Sequence, residues 1–484
     1  MCDKEKEAMS ILSSSSSKLH LLLFPFMSKG HIIPFLQLAH LLLRRGMHVT
    51  LLTTPANHPF IAQSLSGADV SILDLDFPEN IPGIPPGIES TDKLPSMSLF
   101  IPFVNGTKLM QPFFEEAIQT IIPKVDCIIS DMFFGWTLES ASKFGIPRLS
   151  FYCMSFYTMA LVEDVMENGL LSLHESGDEP FTVTSFPWIR ARRNEFDHPF
   201  NKLDPTGPDL DFILECKTAT DNSYGMLVNS FCELEEPFVE YWNRKSQSKT
   251  WCIGPLCLAE PSKIDAGTSQ KPKWRRWLDE KLTKGSPVLY VAFGSQISIP
   301  AKQLQEIAVG LEESRVSFLW VVRNAEEEPI HGFEDRVKKQ GIIVREWVDQ
   351  KEILEHEIVQ GFLSHCGWNS VLEAICAAVP ILAWPMMAEQ RFNAKMLVEE
   401  IKIGLRVVCT DDGTSNGFVT NENLKSSVIK LMEGEKGKAL KKVAKGVAEA
   451  AKRAAAEGGS SWHALSRLIS EIQSQKEIKC SYLA

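Results

Sequence analysis

A chain of 484 residues is too long for one ordinary domain and fits about two or three. Its 44% hydrophobic and 23% charged residues exclude a disordered chain and let each half bury a core without metal or disulfide staples. A formal net charge of -11 lacks the basic footprint that binding to a phosphate backbone requires, so no nucleic-acid partner is expected.

Residues 1–18 read as a disordered tail, with Lys4, Glu5, Lys6 and Glu7 ahead of the serine run Ser13–Ser17. The apolar segment Leu19–Phe26 is too short for a secretory signal, and no later run reaches the ~18 residues of a membrane span. The 11 cysteines include no CxxC pair and no zinc spacing, so they read as buried thiols of a reducing, cytoplasmic protein.

From residue 19 to 252, strand-like runs at Leu19–Phe26, His48–Thr54, Val70–Phe77, Asp126–Asp131, Pro147–Tyr152 and Gly225–Phe231 alternate with helical periodicity. Pro34–Leu43 is one such helix, with Phe35, Leu38, Leu41 and Leu42 on one face. Pro, Gly, Ser and charges collect in 253–273, an interdomain linker.

Alternation restarts over 274–458. Strands are predicted at Pro287–Gly294, Val316–Arg323, Gly341–Val348, Ile358–Ser364, Val379–Trp384 and Gly404–Cys409, with a helix over Lys302–Glu313 and an Ala-rich one near Lys438–Glu457. A further helix is predicted near Ser461–Gln473, within a closing segment 459–484. Wholly apolar strands alternating with helices imply parallel sheets covered on both faces. The fold class is therefore α/β, two doubly wound Rossmann-like domains in tandem, with ligands in the cleft beyond the carboxyl ends of the strands.

The run GFLSHCGWNSVLEA passes from a strand through Gly367 into a helix beginning near Trp368. A helix start offers unpaired N–H groups and partial positive charge, which suit a phosphate. His365, Asn369 and Ser370 are short donors around it, and Glu373 lies one turn on, where a carboxylate can accept from ribose hydroxyls. Ser370 and Glu373 at this spacing also fit a helix capping box.

His31, in Lys29-Gly30-His31-Ile32-Ile33-Pro34, sits between a glycine turn and a proline at a helix start, so it is expected to face the cleft. A positive helix end disfavours its protonated form, leaving the neutral imidazole that a base requires. Asp131, ending Cys127-Ile128-Ile129-Ser130, is its expected partner, delivered to the same sheet edge by a parallel strand. His20, His40, His48, His356 and His463 read as structural.

The segment from Trp347 to Gln390 resembles the signature box of plant family 1 UDP-glycosyltransferases. Trp347, Gln350, Ile353, Leu354, His365, Cys366, Gly367, Trp368, Asn369, Ser370, Glu373, Pro380, Trp384, Pro385, Glu389 and Gln390 fall in its register. The Gly30-His31 and Ser130-Asp131 patterns resemble the same family's catalytic dyad.

The resemblance implies a fold of the type called GT-B and inverting transfer of glucose from UDP-glucose to a hydroxyl of a small hydrophobic acceptor such as a flavonoid, phenolic or terpenoid. Trp347 would stack on uracil and the backbone of Val348 would read the base edge. Gln350 and Glu373 would hold ribose; His365, Trp368, Asn369 and Ser370 would grip the phosphates. Glu389 and Gln390 would bind sugar hydroxyls, Gln390 pointing to glucose. The loop Gly294-Ser295 would approach the diphosphate. The last helix would return to the first domain. No cofactor and no metal is expected, and a monomer is expected.

Two positions depart from the pattern. Asp349 replaces a proline, which would loosen the loop behind Trp347 unless the aspartate builds a turn. Ala378 replaces a glycine, tolerable if its φ is negative. Acceptor contacts are expected from Phe100–Phe103, Phe133–Trp136, Tyr152–Tyr157 and Phe186–Trp188. Competing readings are a UDP-sugar epimerase and a non-catalytic UDP-sugar-binding protein, while the missing G-x-G-x-x-G disfavours hydride transfer.

Overall fold

The computed structural model describes residues 18–259, 271–297, 299–322, 332–410 and 417–483. Residues 1–17 of the expected tail and 260–270 of the expected linker, together with the expected strand end at Arg323, lie outside them.

The first lobe contains β1 (His20–Phe24), β2 (His48–Thr53), β3 (Val70–Asp74), β4 (Cys127–Asp131) and β5 (Arg148–Tyr152). A small antiparallel hairpin, β6 (Phe181–Thr182) with β7 (Arg190–Ala191), precedes β8 (Gly225–Val228) and β9 (Lys249–Cys252). Apart from the hairpin these pair in parallel in the order β3-β2-β1-β4-β5-β8-β9. The second lobe contains β10 (Val288–Ala292), β11 (Ser317–Val321), β12 (Gly341–Val344), β13 (Val359–Ser364), β14 (Ile381–Ala383) and β15 (Gly404–Arg406). Its parallel order is β12-β11-β10-β13-β14-β15. Both are doubly wound.

The continuous apolar runs follow from burial on two faces. Along β1, Leu21 and Leu23 enter one core cluster while Leu22 and Phe24 enter another, as the two-residue strand period requires. Along β10, Leu289 and Val291 face one cluster, and Val288, Tyr290 and Ala292 face a second. That second cluster crosses between the lobes, joining Tyr157, Phe196 and Phe238 to Trp368 and Phe392. The closing helix, Ser460–Leu483, inserts Ala464, Leu465, Leu468 and Ile472 into the core of the first lobe.

Several element boundaries differ from expectation. β3 and β15 are shorter than predicted, and the helix expected over Pro34–Leu43 spans Lys29–Arg44. Pro34 therefore lies inside the helix, not at its start. The expectation of buried thiols fails at Cys409, which is exposed, and Cys153 and Cys232 are partly exposed. No helix among the described residues is long and apolar enough to cross a membrane.

Candidate active site

In each sheet the chain leaves the first strand to one side and later returns to its other side, at β1/β4 and at β10/β13. The carboxyl ends at such a reversal leave a crevice that loops do not fill. Phe24 pairs with Ser130 and Ala292 with Ser364, so the segments leading to His31 and Asp131, and to Ser295 and His365, leave the sheets side by side. All these loops except Asp131 line one cavity of about 1890 Å³ between the lobes. That exceeds the ~300–1,000 Å³ of a single small-molecule pocket.

On the first-lobe rim, His31 Nδ1 lies 2.7 Å from Asp131 Oδ2. Asp131 is fully buried, and its other oxygen accepts the Phe133 N–H at 3.0 Å. Beneath it the buried Arg148 donates to Ser130 Oγ at 2.9 Å and to the Asp131 carbonyl at 3.3 Å, fixing the end of β4. Burial lowers the Arg148 pKa to about 10, which still leaves it charged. Burial also pulls the His31 pKa down, but the charge and hydrogen bond of Asp131, with Glu389 adding, outweigh it and leave the ring above its usual 6.5. The expectation that a helix end keeps this imidazole less basic is thus corrected, because a carboxylate in contact acts more strongly than a partial charge. Nδ1–H donating to Asp131 leaves Nε2 as the basic nitrogen.

The helix position of Pro34 has a second effect. A helical residue there would donate its N–H to the carbonyl of Gly30, but proline has none. The Gly30 carbonyl instead accepts from Asn369 Nδ2 at 2.6 Å, joining the loop of His31 to the opposite lobe.

On that opposite rim the helix spans Trp368–Cys376 with Gly367 as N-cap and no side-chain cap, so Ser370 and Glu373 form no capping box. Gln350 Nε2 instead donates to Ser370 Oγ at 2.8 Å and Glu373 Oε2 at 2.7 Å, gathering the expected ribose residues into one cluster. His365 is held neutral by burial, its pKa pushed down to about 4. A Cβ on Gly294 or Gly367 would come within 2.8 or 2.6 Å of His365 Nε2 and would displace the imidazole, and Gly294 also has φ +80. His365 Nδ1 and Asn369 Oδ1 are buried polar atoms without a partner among the described residues. The Trp368 indole turns into the lobe interface and donates to the Asn229 carbonyl at 2.8 Å, so its contribution at the helix start is backbone. Trp347 is 48% exposed, and Phe60 of the first lobe meets its ring edge-on at 5.4 Å. Val348 beside it is buried.

Asp349 does not loosen this loop. It is the N-cap of the helix Gln350–Leu354, and its side chain accepts the Glu352 N–H at 3.2 Å. Ala378 has φ 57, so the negative angle under which alanine would be tolerable is not met. The cause is the helix end: Ala378 N–H bonds to the Ile375 carbonyl and Val379 N–H to the Ala374 carbonyl, a Schellman turn that demands a left-handed residue.

Glu389 and Gln390 close the cavity in the turn Met386–Gln390. Gln390 Oε1 accepts from the N–H groups of Met386 and Met387, both at 3.0 Å, leaving its amide nitrogen as the donor. Ala388 has φ 51 and donates its N–H to Asp197 Oδ2 of the first lobe at 2.8 Å. Burial pushes the Glu389 pKa up, while His31 is near enough to oppose this.

Among the described residues one group of ligand-type atoms, on His31, Asp131 and Cys153, lies within 4.8 Å. Burial and the nearby carboxylates hold the Cys153 thiol well above its ordinary pKa, and His31 Nδ1 is already committed to Asp131. A cation site needs a thiolate and an open nitrogen lone pair, so this set suits proton transfer better than a metal.

Aromatic rings surround His31: Phe133 at 5.0 Å, Phe26 at 5.4 Å, then Phe100 and Phe212 packed on Phe133 at 5.7 and 5.5 Å. Of the expected acceptor segments, Phe100–Pro102, Phe133 and Tyr152–Met154 line the cavity. Phe103, Phe134, Trp136 and Tyr157 are buried core instead. Phe186 packs on Phe238 and Tyr241, and Trp188 donates to Glu400 at the surface, so neither lines the cavity. Sequence reasoning missed Met97, Phe212, Ile213 and His40 in the lining, and Phe60, Lys29, Arg148 and Asp197 as supporting groups. Only Arg148 left a signal, a charge opening an otherwise buried strand.

Residues 274–435 match the family described as UDP-glucoronosyl and UDP-glucosyl transferase. The chain is 52% identical over 472 residues to UDP-glycosyltransferase 90A1 of Arabidopsis thaliana, covering 95% of this chain and 98% of that protein. Among solved structures, UGT73P12 of Glycyrrhiza uralensis complexed with glycyrrhetinic acid 3-O-monoglucuronide superposes with TM-score 0.85 at 30% identity, over 96% of this chain and 98% of that one. UGT2 of Phytolacca americana, complexed with UDP-2fluoro-glucose and pterostilbene, gives 0.78 at 27% identity, over 94% and 99%.

Proposed function

Since this chain belongs to the plant family 1 UDP-glycosyltransferases, enzymes of the two-lobed GT-B fold, we propose that it transfers glucose from UDP-glucose to a hydroxyl of a small hydrophobic acceptor. The observation that carries this reading is one cavity with a carboxylate-held imidazole on one rim and an open helix start on the other.

The donor lies along the second lobe. Uracil stacks on Trp347 against the backbone of Val348, and ribose meets Gln350 and Glu373. The diphosphate meets the N–H groups at Gly367 and Trp368, with Ser295, His365, Asn369 and Ser370. Glu389 and the Gln390 amide nitrogen take sugar hydroxyls. His31 Nε2 removes the acceptor proton as its oxygen bonds to the anomeric carbon. The bond from that carbon to the phosphate oxygen breaks, and UDP leaves with the electron pair, stabilised by hydrogen-bond donors aimed at it. Attack opposite the leaving group inverts the anomeric centre. Asp131 stabilises the imidazolium that forms. No metal is needed in this scheme.

Flat phenolic, flavonoid or terpenoid acceptors suit the walls of Phe26, Phe100, Phe133 and Phe212. The related Phytolacca protein was complexed with UDP-2fluoro-glucose and pterostilbene, which supports a glucosyl donor and an aromatic acceptor here. Incubation with UDP-glucose and a panel of phenolic acceptors, read by mass and anomeric coupling, is expected to give β-glucosides. His31→Ala should abolish transfer while UDP still binds. Conversion of UDP-glucose to another UDP-sugar without acceptor, or UDP binding with no glucoside from any acceptor, would sink the reading.

A further inference from the structure

The helix start that faces the diphosphate in this reading carries no cation. His365 is neutral, its pKa about 4, and Gly367, Trp368, Asn369 and Ser370 have no charge. Glu373 and Asp349 line the same part of the cavity and add negative charge. A helix N-terminus contributes only about half an elementary charge. A diphosphate taken out of water into such a site needs a full counter-charge from elsewhere.

Lysines that line the cavity are Lys29, Lys217 and Lys351. Lys217 pairs with Asp221 at 2.9 Å and Glu163 at 3.5 Å, and Lys351 with Glu355 at 3.8 Å. Lys29, opening the helix that carries His31, makes no ion pair with a carboxylate among the described residues. Its Nζ rests 3.7 Å from the centroid of Phe60, whose ring meets Trp347 at 5.4 Å. The next residue, Gly30, holds Asn369 at the helix start through its carbonyl at 2.6 Å. The backbone of Lys29 thus adjoins the phosphate end of the donor seat and its ammonium adjoins the nucleotide platform. Burial lowers its pKa, with Asp92 opposing, as expected for a cation partly desolvated without an anion in contact.

We propose that Lys29 is the counter-cation of the donor diphosphate, a donor-binding residue supplied by the acceptor-side lobe. The inference rests on the donor seat proposed above and adds to it the charge that the seat lacks. It makes UDP affinity depend on both lobes, while uridine affinity depends on the second lobe's Trp347, Val348, Gln350 and Glu373.

Titration calorimetry of the full chain with UDP and with uridine tests this, using Lys29→Met and Lys29→Arg. Lys29→Met should weaken UDP roughly tenfold to a hundredfold, the worth of one charged hydrogen bond, and leave uridine unchanged. It should also flatten the salt dependence of UDP binding, and Lys29→Arg should keep UDP within about threefold. Equal weakening of UDP and uridine would overturn the proposal by showing that Lys29 only props Phe60 against Trp347. Unchanged UDP affinity in Lys29→Met would overturn it too. Failure of the wild-type chain to bind UDP, by contrast, would remove the donor seat itself. Matching thermal midpoints for the variants guard against misfolding.

Discussion

A carboxylate with one oxygen on an imidazole and the other on a backbone amide has little freedom to turn, and Asp131 is such a group. Its contact raises the His31 pKa above 6.5, so the ring stays protonated, and useless as a base, to a higher pH than a free histidine would. The acid limb of kcat/KM is expected to have its midpoint above 6.5. Asp131→Asn leaves burial as the dominant influence and should carry that limb below 6.5, while kcat falls on the order of 10³–10⁴-fold. A pH–rate series on both forms decides it; limbs that coincide would dissolve the pairing. The stability contribution has the opposite sense: it is full below the unfolded pKa and lost as pH rises through the raised one.

At the scale of elements, the turn after Trp368–Cys376 is held left-handed at Ala378 by the Schellman bonds that end the helix. A left-handed angle costs an L-residue about 1–2 kcal/mol, and glycine returns about 0.4–1 kcal/mol of that as unfolded-chain entropy. Ala378→Gly is therefore expected to stabilise the fold by up to about 1.6 kcal/mol, read as a higher urea midpoint at constant slope. A lower midpoint would mean that the turn carries no such strain. Asp349 behaves differently: its cap replaces what proline would have contributed, and its φ of -76 is one that proline also adopts. One departure from the family pattern is compensated locally, and the other is not.

For the whole molecule, the closing helix completes the first lobe although it follows the second in sequence. Leu468 is 2% exposed within that core, and Lys476 pairs with Asp126 at 2.8 Å. Leu468→Ala should cost about 2–5 kcal/mol, the transfer and cavity terms together. Differential scanning calorimetry should then show a lowered midpoint. An unchanged trace would mean that the helix merely rests on the lobe.

The sequence by itself determined two parallel sheets, because strands buried on both faces must be apolar throughout, and it located the helix start because glycine and short polar residues mark it. His31 and Asp131 were legible together because one lies just beyond a strand and the other ends a strand of the same sheet. Which strands are neighbours was decided only in three dimensions, where β1 lies between β2 and β4. So was the partner of each exposed edge: Phe212 on a helix face, Lys29 on Phe60, Asn369 on a carbonyl left open by Pro34. Side-chain periodicity reveals which face of an element avoids water. What meets that face depends on chain closure over hundreds of residues, and no local pattern carries that information.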